Sequence, residues 1–517
     1  MYPLRAKDVV VVLDCGSQYT QLIARRIREL KVYSEILPWD ASLEEIRSKN
    51  PKGIIISGSP KSILLPGSPM ISKELLELGI PVLGICYGMQ LLSHILGGQV
   101  GRVGLAEYGR ACIEIQGEGE GLFKGLPKQF NVWMSHGDTV VKLPPKARVL
   151  AKSEGGLIAA MAVEGKQIFG LQFHPEVVHT EHGVEILKNF VFDICQCEPS
   201  WNLGDWVDEQ IKEIARTVGD GKVVSAVSGG VDSTVAAVLT KRAIGDNLHC
   251  VFVNNGLLRL NEPESVLSVY RDKLDLNVHY VDASDKFLAA LKGITDPEEK
   301  RKAVGRTFIE VFEEEAEKFG DAQWLLQGTL YPDVIESGHK GKGASVIKTH
   351  HNVGGLPEKM KFKLLEPLKD LFKDEVRAIG AILGVPRSIL RRHPFPGPGL
   401  SVRCLGEVTR EKLDLLRRAD AIFIEELDLA GFYEKVWQAF CVLLPVRSVG
   451  VMGDERTYGY TIALRAVESL DGMTADWTYL NRELLDKVAR RICNEVHGIN
   501  RVVLDVTSKP PATIEWE

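Results

Sequence analysis

Ile80-Pro-Val-Leu-Gly-Ile-Cys-Tyr-Gly88 sets an apolar run, a glycine, a cysteine and a second glycine in close succession, and the helical pattern Met89–Leu96 follows at once. Such a stretch predicts a strand, a sharp turn and a helix, with the bend permitted by neighbours that lack side chains. Cys86 then lies at a helix N-terminus, where unpaired N–H groups and the positive end of the dipole favour a thiolate. A lone cysteine here would read as a buried structural residue. Far downstream, however, Phe173-His-Pro-Glu176 closes another strand and offers a base, His174, with a carboxylate, Glu176, to orient it. The tight turn Ile56-Ser-Gly-Ser-Pro60 can approach a substrate closely, so the backbone N–H groups of Gly58 and Tyr87 are the natural oxyanion donors. The spacing of His179 and His182 marks a solvated loop rather than catalysis.

Around this centre, Val9–Leu13, Gly53–Ile56 and Pro81–Ile85 alternate with amphipathic stretches such as Tyr19–Leu30, which predicts βα units on a largely parallel sheet. Phe130–Met134, Arg148–Ala151, Ile158–Val163 and Ile168–Phe173 come in close succession and predict an antiparallel extension. The rhythm breaks near residue 198, and Trp206–Val218 opens a second unit whose strands are Val223–Val227, Cys250–Val253, Val278–Val281 and Trp324–Gln327. From residue 408 a helix precedes a mixed pattern that finishes in strand-like Arg501–Val506 and Thr513–Trp516. The expected division is 1–198, 199–392 and 393–517, in keeping with a length of 517 residues.

Composition sets limits on function. With 63 Lys plus Arg against 69 Asp plus Glu, the net charge is -6, so no basic field points to nucleic acid or an anionic membrane. The nine cysteines are scattered and contain no C-x-x-C pair, which argues against a disulfide framework or structural zinc and favours a reducing cytoplasm. No apolar stretch approaches the ~18 residues needed to span a bilayer.

The second unit carries its own chemistry. Val223-Val-Ser-Ala-Val227 runs into Ser228-Gly-Gly-Val-Asp-Ser-Thr234 and then a helical Val235–Arg242. A strand, a glycine-rich turn and a helix gather N–H groups and a helix dipole around an anion. No lysine follows the glycines, so this is not a Walker A loop and γ-phosphate chemistry is not indicated. Asp232 is available to hold Mg²⁺ or the loop itself, and Asp333 in Gln327-Gly-Thr-Leu-Tyr-Pro-Asp333 is a second carboxylate for the metal. Lys348 and His350 lie in a polar loop that could close over phosphates, with a plain solvated loop as the alternative.

G-x-C-x-G with a later H-P-E, together with Ser57-Gly-Ser-Pro60 and Trp133-Met-Ser-His-Gly-Asp138, resembles the class I glutamine amidotransferase family over about 190 residues. That resemblance implies that Cys86 is acylated by the glutamine side chain and ammonia leaves. Many relatives have a second glycine where Ser59 stands, a change that leaves a backbone donor intact. S-G-G-x-D-S resembles the PP-loop of ATP pyrophosphatases, which implies that Ser228, Gly229, Gly230, Val231, Asp232, Ser233 and Thr234 hold pyrophosphate while ATP is cleaved between α and β. The family often has Asp where Asn254 stands.

The full layout resembles the glutamine-hydrolysing GMP synthetase family. Thr349–Pro357, Arg392–Leu400, Asp471–Trp477 and Thr507–Glu517 carry that resemblance. It implies an α/β chain of three parts: a class I glutamine amidotransferase domain, a PP-loop (adenine nucleotide alpha hydrolase-like) doubly wound domain, and a small α+β C-terminal dimerisation domain. It implies glutamine, ATP with Mg²⁺ and xanthosine monophosphate (XMP) as small-molecule partners, no prosthetic group, and a homodimer. It further implies that Arg301, Lys509 and Glu515 are XMP ligands and that loop 393–399 lines the same pocket. A domain-closing edge strand is the alternative for the C-terminal stretch. The rivals are another PP-loop amidating or thiolating enzyme, which would lack a Cys86-type domain or the terminal T-S-K-P-P-A-T-I-E-W-E, and a catalytically silent glutamine or nucleotide sensor, which would have lost Cys86, His174 or Asp232.

Overall fold

The structure is a computed structural model that describes residues 7–102, 106–338, 362–452, 455–469, 472 and 474–517. Lys348, His350, the stretch 349–357 and part of 471–477 lie outside the described residues. The chain forms two compact units, Met1–Leu203 and Gly204–Glu517.

The first unit is built on a nine-stranded sheet. Tyr33–Pro38, Val9–Asp14, Gly53–Ile56, Val82–Ile85 and Ile168–Leu171 lie side by side and parallel. Ile158–Val163, Ala147–Ser153, Glu107–Ile115 and Gln129–His136 extend it antiparallel. The central strands are continuous apolar runs because both faces are covered; Val10–Leu13 and Ile54–Ile56 are wholly buried. Two register pairs place the chemistry. Ile56 lies opposite Gly84, and Leu171 opposite Ile85, so three strands end level and deliver Ser57, Cys86 and Gln172 to one edge of the sheet.

In the second unit a parallel five-stranded sheet runs in the order Val278–Asp282, Leu248–Asn254, Lys222–Ala226, Ala322–Leu326, Lys363–Leu365. A second sheet is a long antiparallel hairpin, Gln438–Met452 with Glu455–Glu468, flanked by Asp476–Trp477 and by Ile499–Leu504. Helices Arg410–Leu429 and Arg482–Glu495 cover it. One apolar core runs without a break from Val224 and Val251 of the first sheet through Leu416 and Phe423 to Val488 and Ile492.

Two local expectations are corrected. Thr513–Trp516 is not a strand, and the segment is held by arginine side chains instead of a ladder: Arg465 donates to the carbonyls of Thr507, Thr513 and Ile514. Asp333 does not end a strand but stands in the first turn of helix Tyr331–Gly338, where a carboxylate accepts from the Leu330 N–H at 2.9 Å.

Candidate active site

Cys86 occupies the turn between strand Val82–Ile85 and helix Tyr87–Ile95 at φ 53° and ψ -106°, a conformation costly for any residue with a Cβ. The flanking glycines make it attainable. A Cβ on Gly84 would lie 2.4 Å from the Gly88 carbonyl carbon, and one on Gly88 2.3 Å from the Ile56 carbonyl oxygen. The cysteine is thereby pushed to the floor of a cavity of about 540 Å³, lined among others by Gly16, Tyr19, Ser59, Gln90, His136 and His174.

The Nδ1–H of His174 donates to Glu176 Oε1 at 2.7 Å, with both side chains buried. Burial disfavours the imidazolium, yet the Glu176 carboxylate and the Cys86 sulfur outweigh it and hold His174 well above the usual imidazole range. The arrangement is anchored from outside. Thr180 Oγ1 donates to the His174 carbonyl at 2.6 Å, Arg26 Nε donates to the Glu176 carbonyl at 2.9 Å, and the Tyr19 ring meets the imidazole edge-on at 5.0 Å. Gln172 Nε2 faces the Cys86 sulfur at 3.8 Å. Gly58 lies against the same imidazole, since a Cβ there would sit 3.5 Å from His174 Cε1, and the Tyr87 N–H opens the helix after Cys86. A buried nucleophile, a charged-capable base, an orienting carboxylate and nearby N–H groups can carry out acyl transfer. His179 and His182 pack on Trp133 and Phe130 instead.

In the second unit strand Lys222–Ala226 leads through residues 227–230 into helix Val231–Ile244. Gly229 has φ +78°, and its N–H donates to the buried Tyr270 hydroxyl at 2.9 Å. Ser233 Oγ accepts from the Ser228 N–H at 3.3 Å and lies 3.2 Å from Ser228 Oγ. Asp232 is partly exposed at its head, but Oδ1 is buried without a partner among the described residues, and Lys373 Nζ stands 3.7 Å from Oδ2. Burial raises its carboxyl above the ordinary value; Lys373 opposes the shift and Asp333 adds to it. Asp333 thus acts on Asp232 through its charge, from the first turn of helix Tyr331–Gly338. Asn254 uses both ends of its amide, donating to Tyr280 Oη at 3.1 Å and accepting from the Gly256 N–H at 3.0 Å.

The C-terminal residues fall into separate contacts. Arg403, wholly buried, forms a two-pronged ion pair with Glu515, Nε to Oε2 at 3.0 Å and Nη2 to Oε1 at 2.8 Å, and Gln438 Nε2 donates to the same carboxylate at 2.7 Å. Lys509 Nζ donates to the Gly472 carbonyl at 2.8 Å. Arg301 donates to the Glu517 carbonyl, beside the Lys300 pair with the Glu517 carboxylate. Sequence reasoning missed Thr180, Tyr270, Lys373, Arg403 and Gln438. Thr180 sits six residues beyond His174, and the other four work through neighbours distant in the chain, so no local pattern marks them.

The fold and the Cys86, His174 and Glu176 set define a class I glutamine amidotransferase domain joined in one chain to a PP-loop domain. Residues 11–194 match the family model described as glutamine amidotransferase class-I, residues 203–305 the one described as NAD synthase, and residues 425–516 that of the GMP synthase C terminal domain. The chain is 60% identical over 508 residues to the glutamine-hydrolyzing GMP synthase of Aquifex aeolicus, covering 98% of this chain and 99% of that one. It is 58% identical over 508 residues to that of Carboxydothermus hydrogenoformans and 56% over 511 residues to that of Caldanaerobacter subterraneus, at 98% and 99% of this chain and 99% of each relative. The chain belongs to the glutamine-hydrolysing GMP synthase family.

Proposed function

We propose that this ligase makes GMP by a division of labour between its two compact units. In the first, the Cys86 sulfur attacks the side-chain carbonyl carbon of glutamine. The oxyanion is received by the N–H groups of Gly58 and Tyr87, and the imidazolium of His174, held by Glu176, protonates the leaving ammonia. Water then releases glutamate from the thioester. In the second, Ser228–Thr234 binds the β and γ phosphates of ATP while the XMP oxygen attacks the α phosphorus, so pyrophosphate leaves. Ammonia displaces AMP from the adenylated carbon, giving GMP. The observation that carries this reading is the pairing of a strained cysteine elbow with a glycine-rich pyrophosphate loop in a chain that aligns end to end with GMP synthases.

A divalent cation suits Asp232 and Asp333. The buried Oδ1 of Asp232, without a partner among the described residues, and its raised carboxyl describe a site that gains from added positive charge. When bound, Mg²⁺ would neutralise phosphate charge there. For XMP, Arg301, Lys509 and Glu515 are the proposed ligands, in a C-terminal part beginning near residue 393. Val446, Val449, Val451 and Tyr458 leave an exposed apolar face on the long hairpin, which supports a homodimer through that part. A cytoplasmic setting accords with nine free cysteines and with the lack, among the described residues, of any helix long and apolar enough to cross a membrane.

The test is a steady-state assay with XMP, ATP and glutamine that follows GMP and AMP together. Equal GMP and AMP support the reading; ADP as the nucleotide product would overturn the pyrophosphate-loop assignment.

A further inference from the structure

Arg392 lies outside the set of side chains assigned to substrate, yet its guanidinium is pressed against the phosphate loop. Its Nη1 donates to the Gly229 carbonyl at 2.9 Å and to Glu262 Oε1 at 3.0 Å, while Glu262 Oε2 accepts from the Arg259 N–H at 2.9 Å. A Cβ on Gly229 would lie 2.8 Å from that same Nη1.

The contact orients the loop. In a trans peptide the C=O and N–H point in opposite directions, so turning the Gly229 carbonyl toward Arg392 turns the Gly230 N–H the other way. That is the side of the Ser228 hydroxyl, which accepts from the Gly230 N–H at 3.4 Å, and Ser228 Oγ in turn lies 3.2 Å from Ser233 Oγ. The opposite side is locked by a chain of hydroxyls: the Gly229 N–H donates to Tyr270 Oη, Tyr270 pairs with Thr234 Oγ1 at 2.9 Å, and Thr234 donates to the Gly230 carbonyl at 2.6 Å. Gly229 is therefore held through its N–H by Tyr270 and through its carbonyl by Arg392.

The backbone of Arg392 also leads into a second anchored segment. The next ring, His393, donates from Nε2 to the Tyr433 carbonyl at 2.8 Å, accepts from the Ala439 N–H at 3.2 Å and stacks on Tyr433 at 3.9 Å. Gln438 Nε2 holds the Pro394 carbonyl at 2.9 Å as well as Glu515. One residue thus ties the phosphate loop to the start of loop 393–399.

We propose that Arg392 is a positioning residue of the pyrophosphate loop: by pinning the Gly229 carbonyl it sets how the Gly229–Gly230 peptide is turned in that loop, and it fixes that loop relative to loop 393–399. The inference rests on the reading of Ser228–Thr234 as the ATP site. The test uses the full chain carrying Arg392→Met and Arg392→Lys, with Ser233→Ala as a probe of the loop itself. The KM for ATP, the inhibition constant of inorganic pyrophosphate, kcat and the KM for glutamine are measured, along with the melting temperature.

Loss of a charge-assisted hydrogen bond predicts a rise of about 10- to 100-fold in both the ATP KM and the pyrophosphate constant for Arg392→Met. Arg392→Lys, which keeps the charge without the fork, falls between wild type and Met, and the glutamine KM is unchanged. A folded Arg392→Met with wild-type constants for ATP and pyrophosphate, or with a lower kcat alone, would overturn the proposal while a raised ATP KM in Ser233→Ala keeps the loop assignment. If Ser233→Ala also leaves both constants unchanged, the loop assignment falls and the proposal with it. Should Arg392→Met not fold, the same two constants in Arg392→Lys decide the matter.

Discussion

His174 and Glu176 stand two residues apart in the chain and meet through a 2.7 Å hydrogen bond with both side chains buried, so the base carries its orienting group on its own loop. Replacing the carboxylate with an amide should return His174 toward the range set by burial alone. Glu176→Gln is expected to lower glutamine-dependent GMP formation by about 10²- to 10⁴-fold with ammonia-dependent formation unchanged, as general acid–base losses run. Parallel assays with the two nitrogen sources check it.

The same pair makes stability depend on pH. The His174 value is raised in the folded protein, so the stabilisation it contributes is complete below the ordinary imidazole value near 6.5 and is lost as pH rises through the higher folded value. The melting-temperature advantage of wild type over Glu176→Gln should therefore shrink as pH rises above the ordinary imidazole value of 6.5. An advantage that grows with pH would contradict the assigned charge state.

Cys86→Ala should abolish glutamine-dependent synthesis and leave synthesis from added ammonia, because the thiol acts only in hydrolysis. Equal loss with both nitrogen sources would sink the division of labour. Gly88→Ala tests the elbow rather than the nucleophile: a Cβ placed 2.3 Å from a backbone oxygen cannot be absorbed by side-chain movement. A cost of about 1–3 kcal/mol or more and loss of glutaminase activity are expected, read by thermal unfolding and glutamate release.

Asp232→Asn should remove synthesis with either nitrogen source and yet stabilise the fold at neutral pH. The folded carboxyl is raised, so its favourable contribution is present below the ordinary carboxylate value and is lost as pH climbs through the folded one. The gain in melting temperature of the variant over wild type should therefore grow as pH rises above the ordinary carboxylate value of 3.8. A variant less stable than wild type throughout would show that the carboxylate is well paired after all.

Lys509 and Glu515 should separate cleanly. Lys509→Ala removes one bond to the Gly472 carbonyl and is expected to raise the KM for XMP about 10–150-fold with little change in melting temperature. Glu515→Ala strands the buried Arg403 guanidinium and should cost about 3–5 kcal/mol besides any effect on XMP. Sedimentation of Lys509→Ala excludes dissociation as the cause, and an intact assembly with an unchanged KM would leave Lys509 a structural residue.

Gly53–Ile56 and Ile158–Val163 are legible to the residue because they are short apolar runs set among other such runs at strand-like spacing, and Ser228–Thr234 is legible because strand, glycines and helix are contiguous. The level endings of three strands are not legible, since register depends on packing between segments far apart in the chain. Nor are the anchors: Tyr270 and Arg392 on the Gly229 backbone and Arg403 against Glu515 all act between segments far apart in the chain. Residue type and spacing alone determined which groups could do chemistry, because nucleophile, base and phosphate loop each need particular atoms at short range. Only the tertiary structure decided how the backbone of the phosphate loop is turned and which carboxylates are held by arginine or lysine, because those choices belong to contacts made with distant partners.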